Sequence, residues 1–349
     1  MQTAQVTPRF TPMPRFAIAT LVPALLLALA VLAGGAWGAA ALLWMTVLTF
    51  ALDRLGRAPA PQGAGEGRAL TVALGSVHFL LWGLAIWGVG GPSGLSALER
   101  GVAFFGFGLF FGQISNSAAH ELIHASGRAL RRLGAAIYVS LLFGHHVSAH
   151  RLVHHVHVAT PRDPNSAPLG RSYWGFLPRA WWGSFREGWR AEEALRARRS
   201  GPRGLHPYAI WLGGAAVAGL LALLIGGPGG LAALLGLAAY AQAQLLLSDY
   251  VQHYGLTRRA GAEGRAEPVG PQHSWNAPHR QSAAMMLNAP RHSDHHAHPA
   301  RPWPELALEE DMPRLPQSLP VMATIALWPP AWRQLMDHRA RRVMARQGA

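Results

Sequence analysis

Cysteine and lysine are both absent from the 349 residues of this chain. Without cysteine, no disulfide, haem thiolate or cysteine-ligated iron–sulfur centre can form within it. If its reaction needs electrons, a second protein must therefore deliver them. Without lysine, arginine supplies all 31 basic side chains, and because only 17 side chains are acidic the formal net charge is +14.

Charged residues are scarce as well, since they make up 14% of the chain whereas 50% of it is hydrophobic. This composition is too apolar for a soluble domain of this size and predicts membrane-spanning segments. Six apolar runs have about the length that a helix needs to cross the hydrocarbon core. A signal peptide is disfavoured for the first run, because the second follows it at once. The runs are 16–34, 37–52, 69–90, 102–119, 207–226 and 229–247.

Arginine-rich loops alternate with arginine-poor turns along these runs. Because basic loops stay on the cytoplasmic side of a membrane, the pattern predicts a cytoplasmic N-terminus and places every histidine motif on the cytoplasmic side. Contact with anionic lipid headgroups and docking of an acidic soluble protein both fit this basic face. The arginines follow no single stripe with interleaved aromatics, so nucleic acid is not an expected partner. The rich loops contain Arg54, Arg57 and Arg68, then Arg128, Arg131 and Arg132, then Arg258, Arg259 and Arg265.

The predicted fold is an all-α integral membrane protein with six transmembrane helices and a cytoplasmic histidine-rich cap. Residues 1–119 are expected to form four transmembrane helices as two hairpins. Residues 120–206 follow as a cytoplasmic segment with the first two histidine motifs, and 207–248 as another transmembrane hairpin. Residues 249–349 complete the cap with the last histidine motifs and a basic tail.

Histidines are concentrated in three short motifs beside the apolar runs: HELIH at 120–124, HRLVHH at 150–155 and HSDHH at 292–296. Spacings of three or four residues predict pairs on one helix face that can share a metal ion: His120 with His124, His150 with His154, and His292 with His295. The consecutive histidines that end the last two motifs can reach two different ions, which favours a dinuclear centre over one closed tetrahedral site. The nine candidate ligands are His120, His124, His150, His154, His155, His253, His292, His295 and His296.

Three acidic residues close to these ligands, Glu121, Asp249 and Asp294, are predicted to accept hydrogen bonds from ligand imidazoles. For Asp294 a plain helix cap is an equally good interpretation. HELIH also matches the HExxH motif of zinc proteases, with Glu121 as the general base, but that interpretation leaves the other histidines without a role. His78, inside the third run, is predicted to be an interface or solvent residue.

The order of the motifs HELIH, GHHVSAHRLVHHVHVATPRDP, DYVQHYGL, HSWNAPHR and LNAPRHSDHHAHP resembles the integral-membrane alkane 1-monooxygenases, within the fatty acid desaturase and hydroxylase superfamily. The resemblance covers residues 100–305 by motif. It implies that the nine histidines hold a non-haem centre of two iron ions, which uses O2 to hydroxylate the terminal carbon of an alkane or similar apolar chain. It also implies electrons from a rubredoxin or ferredoxin-type donor with its NAD(P)H reductase, and a place in the bacterial inner membrane.

Two alternatives stay open at this point. The same di-iron centre could desaturate or hydroxylate acyl lipids, or oxidise alkyl-aromatic compounds. A membrane zinc protease built on HELIH belongs to another enzyme class. Metal content separates the oxygenases from the protease, and product analysis separates the oxygenase reactions from one another.

Overall fold

A computed structural model of the chain describes residues 13–55, 67–201, 204–261 and 265–348. The described residues form helices joined by loops, with two isolated β-bridges, so the all-α prediction is confirmed. The predicted cytoplasmic N-terminus and Arg57 lie outside the described residues. The helices are α1 Met13–Leu32, α2 Trp37–Leu55, α3 Arg68–Gly90, α4 Ala97–His124, α5 Arg128–Ser140, α6 145–157, α7 Tyr173–Ala197, α8 Pro207–His253, α9 Arg280–Met285, α10 His292–Ala297, α11 Leu319–Ala326 and α12 Pro329–Gly348.

Five helices in the described part of the chain, α1 to α4 and α8, are long and apolar enough to cross a membrane. Helix α8 has 47 residues but is broken at Gly227, whose φ of 62° and ψ of −155° are not helical. Its two arms pack against each other, since a Cβ at Gly230 would lie 2.4 Å from the carbonyl oxygen of Ala222. The chain therefore turns back on itself within the glycine-rich segment 226–230, where the sequence predicted a hairpin turn.

The two ends of the helix bundle differ in chemistry. At one end the turns are short, and Glu99 in the first turn of α4 accepts hydrogen bonds from the backbone N–H groups of Gly35 at 2.6 Å and Ser96 at 2.8 Å. At the other end, Asp53 in the last turn of α2 accepts a hydrogen bond from the backbone N–H of Gln281 at 2.7 Å. That contact ties α2 to the segment that leads into the third histidine motif. HELIH ends α4 at this end as well, and the three histidine motifs come together there.

Trp303 fixes the loop that follows the third histidine motif. Its indole ring is 1% exposed and lies edge-on to Phe16 of α1, with ring centroids 4.5 Å apart. Its Nε1–H donates to Thr71 Oγ1 of α3 at 3.0 Å, and its backbone N–H donates to Glu121 Oε2 of α4 at 3.3 Å. The side chain and backbone of one buried residue thus join three apolar helices to the loop beside the histidines.

Within the described residues, three helices contain a turn of π-helix: Trp44–Leu48 in α2, Phe110–Ser115 in α4 and His150–His154 in α6. A π turn inserts one residue into an α-helix, so it rotates the side chains after it by about 100° around the helix axis. Two of the three π turns lie in helices that carry a histidine motif. These two π turns set the direction in which the histidines of α4 and α6 point.

His78 lies inside the bundle and is fully buried. Its Nδ1 is 2.9 Å from Ser115 Oγ of α4, and its Nε2 is 2.8 Å from Ser140 Oγ of α5. The prediction of an interface or solvent residue was wrong, because neighbouring hydroxyl groups satisfy both ring nitrogens within the bundle.

Candidate metal centre

The nine histidines named from the sequence converge at one end of the bundle as two adjacent clusters. Within each cluster the ligand atoms all lie within 4.8 Å of one another. The five-histidine cluster consists of His120, His124, His150, His155 and His295. The four-histidine cluster consists of His154, His253, His292 and His296.

Consecutive histidines are divided between the two clusters. His154 and His155 follow each other in α6 but belong to different clusters, and His295 and His296 do the same in α10. The ring centroids of His155 and His296, one from each cluster, are 4.6 Å apart. Helices α6 and α10 therefore serve both clusters, as the consecutive pairs in the sequence predicted.

The pairing of histidines inside two motifs differs from the prediction. On an α-helix His150 and His154 would share a face, but a π turn occupies these residues and the backbone N–H of His155 bonds to the carbonyl of His150. The pair five residues apart therefore shares a face, and the Nε2 atoms of His150 and His155 are 3.0 Å apart. In HSDHH the pair four residues apart, His292 and His296, shares a cluster, with Nε2 atoms 3.1 Å apart.

The spacing of the ring nitrogens fits bound metal ions. Neighbouring Nε2 atoms are 3.0–3.2 Å apart in the five-histidine cluster and 2.9–3.1 Å apart in the four-histidine cluster. With metal–nitrogen distances of about 2.0–2.1 Å, ligands at right angles lie about 3.0 Å apart and tetrahedral ligands about 3.4 Å apart. Nitrogen atoms at these distances can therefore serve as ligands of a shared ion.

Burial also keeps most of these rings in the form that binds metals. It lowers the pKa of five rings far below the usual range, so they are neutral at neutral pH. Only a neutral imidazole has a free lone pair to offer a metal ion. The five are His150, His155, His292, His295 and His296.

His154 differs from these rings because its Nδ1 lies 2.9 Å from Asp163 Oδ2. Burial lowers the pKa of His154, but the negative charge of Asp163 and this hydrogen bond outweigh burial and raise it. The bond occupies Nδ1 and leaves Nε2 as a buried nitrogen without a hydrogen-bond partner in the described residues. A carboxylate in this position fixes the tautomer and orientation of a ligand imidazole.

The carboxylates named from the sequence make other contacts. Glu121 Oε1 is 3.9 Å from His120 Nδ1, which is too long for a hydrogen bond. Asp249 Oδ2 accepts a hydrogen bond from Asn165 Nδ2 at 2.6 Å. The carboxylate that bonds directly to one of the clustered rings is a fourth one, that of Asp163. The sequence signal for it was the TPRDP turn that follows the second histidine motif.

Asp294 stabilises the loop after the third histidine motif. Its carboxylate accepts hydrogen bonds from His298 Nδ1 at 2.9 Å, from Arg301 at 2.6 and 2.7 Å and from the backbone N–H of Ala307 at 2.7 Å. None of these partners is one of the nine clustered histidines, so Asp294 holds the loop and not a ligand ring.

The clusters differ in their access to the surface. All four rings of the four-histidine cluster are buried, whereas His120, His124 and His155 of the five-histidine cluster are only partly buried. A pocket of about 460 Å³ reaches His124 and Glu121 from the surface. Four basic side chains line this opening: Arg68, Arg131, Arg151 and Arg301.

A lateral cleft lies between α2, α4, α8 and α11, in two parts that share lining residues. Its larger part, of about 420 Å³, is lined by side chains that include Met45 and Leu109. Its smaller part, of about 80 Å³, reaches Asn116, one helical turn before HELIH. Gln113 and Gln244 line both parts, with Gln113 Nε2 donating to Gln244 Oε1 at 3.4 Å.

The fold and the clusters together define a helical protein of membrane type with two adjacent histidine clusters that could each hold a metal ion. Residues 98–326 match the family model described as fatty acid desaturase. Because this match covers more than half of the chain, the chain belongs to that family.

Similar proteins of known function place the chain more closely. It is 34% identical to alkane 1-monooxygenase 1 of Pseudomonas aeruginosa, over 80% of this chain and 75% of that protein. It is 33% identical to the alkane 1-monooxygenase of Pseudomonas putida, over 77% of this chain and 67% of that protein. It is 28% identical to the xylene/toluene monooxygenase hydroxylase component of Pseudomonas putida, over 72% of this chain and 68% of that protein.

The predicted resemblance to the alkane 1-monooxygenases is confirmed, and the chain is an oxidoreductase of the monooxygenase type. The zinc protease interpretation of HELIH was wrong. Its two histidines share the five-histidine cluster with three rings from the other two motifs.

Proposed function

We propose that the chain is a membrane di-iron monooxygenase that uses O2 to hydroxylate the terminal carbon of an alkane or similar apolar chain. The observation that carries this proposal is the pair of adjacent clusters, with five and four imidazoles and ring nitrogens at metal-ligand spacing. Imidazole suits iron, zinc and copper alike, so the donor set alone does not choose the metal. The similarity to alkane 1-monooxygenases favours iron and O2.

The chemistry divides between the metal and the protein. Bound iron would supply the activation of O2 that a terminal C–H bond requires and that no amino-acid side chain provides. The chain's own residues hold the ligand rings in place, through bonds such as that of Asp163 to His154. Overall, one oxygen atom of O2 enters the product and the other leaves as water, which consumes two electrons and two protons.

The lateral cleft is the proposed route for the substrate. Its larger part is lined by the exposed Val47 and Phe50 of α2 and by Leu109 of α4, and both helices are apolar enough to span a bilayer. A substrate dissolved in the membrane can therefore enter without crossing water. The smaller part of the cleft reaches Asn116, one helical turn before HELIH, and a linear chain is proposed to enter it with its end first.

The proposed topology has six spans, with each arm of α8 counted as one. The positive-inside rule then puts the end of the bundle with the clusters in the cytoplasm, and a bacterial inner membrane is the expected location. The arrangement of the bundle supports this proposal, because Arg68, Arg131 and Arg151 all line the opening at that end.

The electrons are proposed to come from a rubredoxin or ferredoxin-type protein with its NAD(P)H reductase. The chain has no cysteine for an iron–sulfur relay of its own. The arginine-lined opening ends at His124, a partly buried ring of the five-histidine cluster. An acidic donor protein would be attracted to this rim and would approach the metal centre closely there.

A second substrate class has support from one comparison. The similarity to a xylene/toluene monooxygenase component favours oxidation of an alkyl side chain on an aromatic ring as the alternative reaction. Desaturation or hydroxylation of acyl lipids follows from the family match alone.

Metal analysis of the purified chain tests the centre. We expect two iron ions per chain after expression in iron-replete medium and purification in detergent. A single zinc ion per chain would contradict the oxygenase.

Product analysis tests the reaction. The chain is supplied with a linear alkane, rubredoxin, its reductase, NADH and ¹⁸O2, and the expected product is a primary alcohol that contains one ¹⁸O atom. A parallel reaction with xylene compares the alternative substrate class directly. Unsaturated acyl lipid as the sole product would show that the proposed reaction is wrong.

A further inference from the structure

The helix that presents HELIH changes its geometry just before the motif. Helix α4 contains the π turn Phe110–Ser115, and the segment Asn116–His124 then continues as α-helix. His120 and His124 therefore depend on the π turn for their direction. If the π turn became regular α-helix, both rings would rotate by about 100° around the helix axis, away from the cluster.

The last residue of this π turn is bonded to His78. Ser115 and His78 are both fully buried, and Ser115 Oγ lies 2.9 Å from His78 Nδ1. The other ring nitrogen, Nε2, lies 2.8 Å from Ser140 Oγ. One side chain of α3 thus reaches both the π turn of α4 and the last residue of α5.

The hydrogen bonds fix the direction of each donor. The Ser140 hydroxyl donates to the carbonyl of Ile137 at 2.8 Å, so its hydrogen is not available to His78. Ser140 Oγ must then accept from His78 Nε2–H. A neutral imidazole has only one N–H, so Nδ1 is the acceptor and the Ser115 hydroxyl donates to it. Both ring nitrogens and both hydroxyl groups of this hydrogen-bond network therefore have a partner. The network needs a donor and an acceptor on one ring at residue 78, which histidine provides.

Helix α5 carries Ser140, at the far end of this hydrogen-bond network. The helix packs directly on the HELIH segment. A Cβ at Gly134 would lie 2.7 Å from Leu122 Cβ, inside HELIH. The Tyr138 hydroxyl donates to Asn116 Oδ1 at 3.0 Å, one turn before His120. The network therefore contacts α4 twice: directly through Ser115, and through α5, which packs on the segment that presents the two histidines.

We propose that His78 is a positioning residue that holds the π turn of α4 and thereby directs His120 and His124 into the five-histidine cluster. The inference rests on the proposed function to the extent that this cluster holds a metal ion. Because neither His120 nor His124 contributes to the four-histidine cluster, loss of His78 affects one metal site and spares the other.

The experiment compares two variants with a matched control. His78→Leu removes both hydrogen bonds, and Ser115→Ala removes only the hydroxyl that joins the ring to the π turn. The control, Trp82→Phe, removes a different bond of α3, that of Trp82 Nε1–H to the carbonyl of Ser140 in α5 at 3.0 Å. Each full-length protein is reconstituted with Fe²⁺ and, in parallel, with Co²⁺, and melting temperature is measured on the same samples.

We expect wild type and Trp82→Phe to bind two ions per chain. His78→Leu and Ser115→Ala should fall towards one ion, and their Co²⁺ absorption should lose the contribution of the five-histidine cluster. Two ions and an unchanged Co²⁺ spectrum in Ser115→Ala would overturn the inference, whatever its melting temperature and whether or not His78→Leu folds. Fewer than two ions in wild type would instead overturn the proposed function, and the role of His78 with it.

Discussion

The two histidine clusters are built from the same residue type and share two helices, yet their surroundings differ. The four-histidine cluster is buried throughout, and Asp163 holds one of its rings by a hydrogen bond. The five-histidine cluster has three partly buried rings and lies at the bottom of a basic opening. Adjacent residues in one helix can thus supply a closed site and an accessible site, because consecutive side chains point in different directions.

The clusters also depend on different membrane helices. Helix α4 supplies two rings to the five-histidine cluster, whereas α8 supplies His253 to the four-histidine cluster. The π turn Phe110–Ser115 precedes the first pair, so a change in α4 should disturb the accessible site alone. This difference allows each site to be perturbed separately.

Removal of a ligand from either cluster should have the largest effect. His154→Ala in the four-histidine cluster and His295→Ala in the five-histidine cluster should each lower turnover by more than about 100-fold, since even partners of ligands typically contribute 10–100-fold. Metal analysis should show that each variant loses iron. The control is His338→Ala on α12, where the exposed ring contacts only the carbonyl of Gln334 and the side chain of Arg339 among the described contacts. Normal iron content and turnover in either ligand variant would show that the site is wrongly assigned.

Loss of the orienting carboxylate should have the next largest effect. In Asp163→Asn the neutral amide holds the Nδ1–H of His154 less strongly, so we expect metal affinity of the four-histidine cluster to fall by about 10–100-fold. Competition with a chelator measures this affinity. Asp337→Asn serves as the control, because Asp337 accepts a hydrogen bond from Tyr254, outside the clusters. If Asp163→Asn and wild type bound metal with equal affinity, the hydrogen bond of Asp163 would not distinguish the four-histidine cluster from the other.

The sequence predicted the nine clustered histidines and the helical hairpin of α8, because both follow from local patterns of residues. It did not predict that His150 pairs with His155, since a π turn depends on tertiary packing and has no simple sequence pattern. The role of His78 was also missed. Its partners Ser115 and Ser140 are 37 and 62 residues away along the chain, and only the packing of three helices brings them together.

The smallest expected effect concerns the opening beside the five-histidine cluster. Arg151 is exposed at its rim, so Arg151→Glu should slow the encounter with an acidic electron donor by about 10-fold at low salt. The expected result is a lower kcat/KM for the donor with little change in kcat, and the loss should shrink as salt screens the charges. Arg346→Glu, an equal change of charge at an exposed position of α12, controls for net charge. If both variants lost the same amount, net charge would explain the effect; a loss confined to Arg151→Glu would make the accessible cluster the point of electron entry.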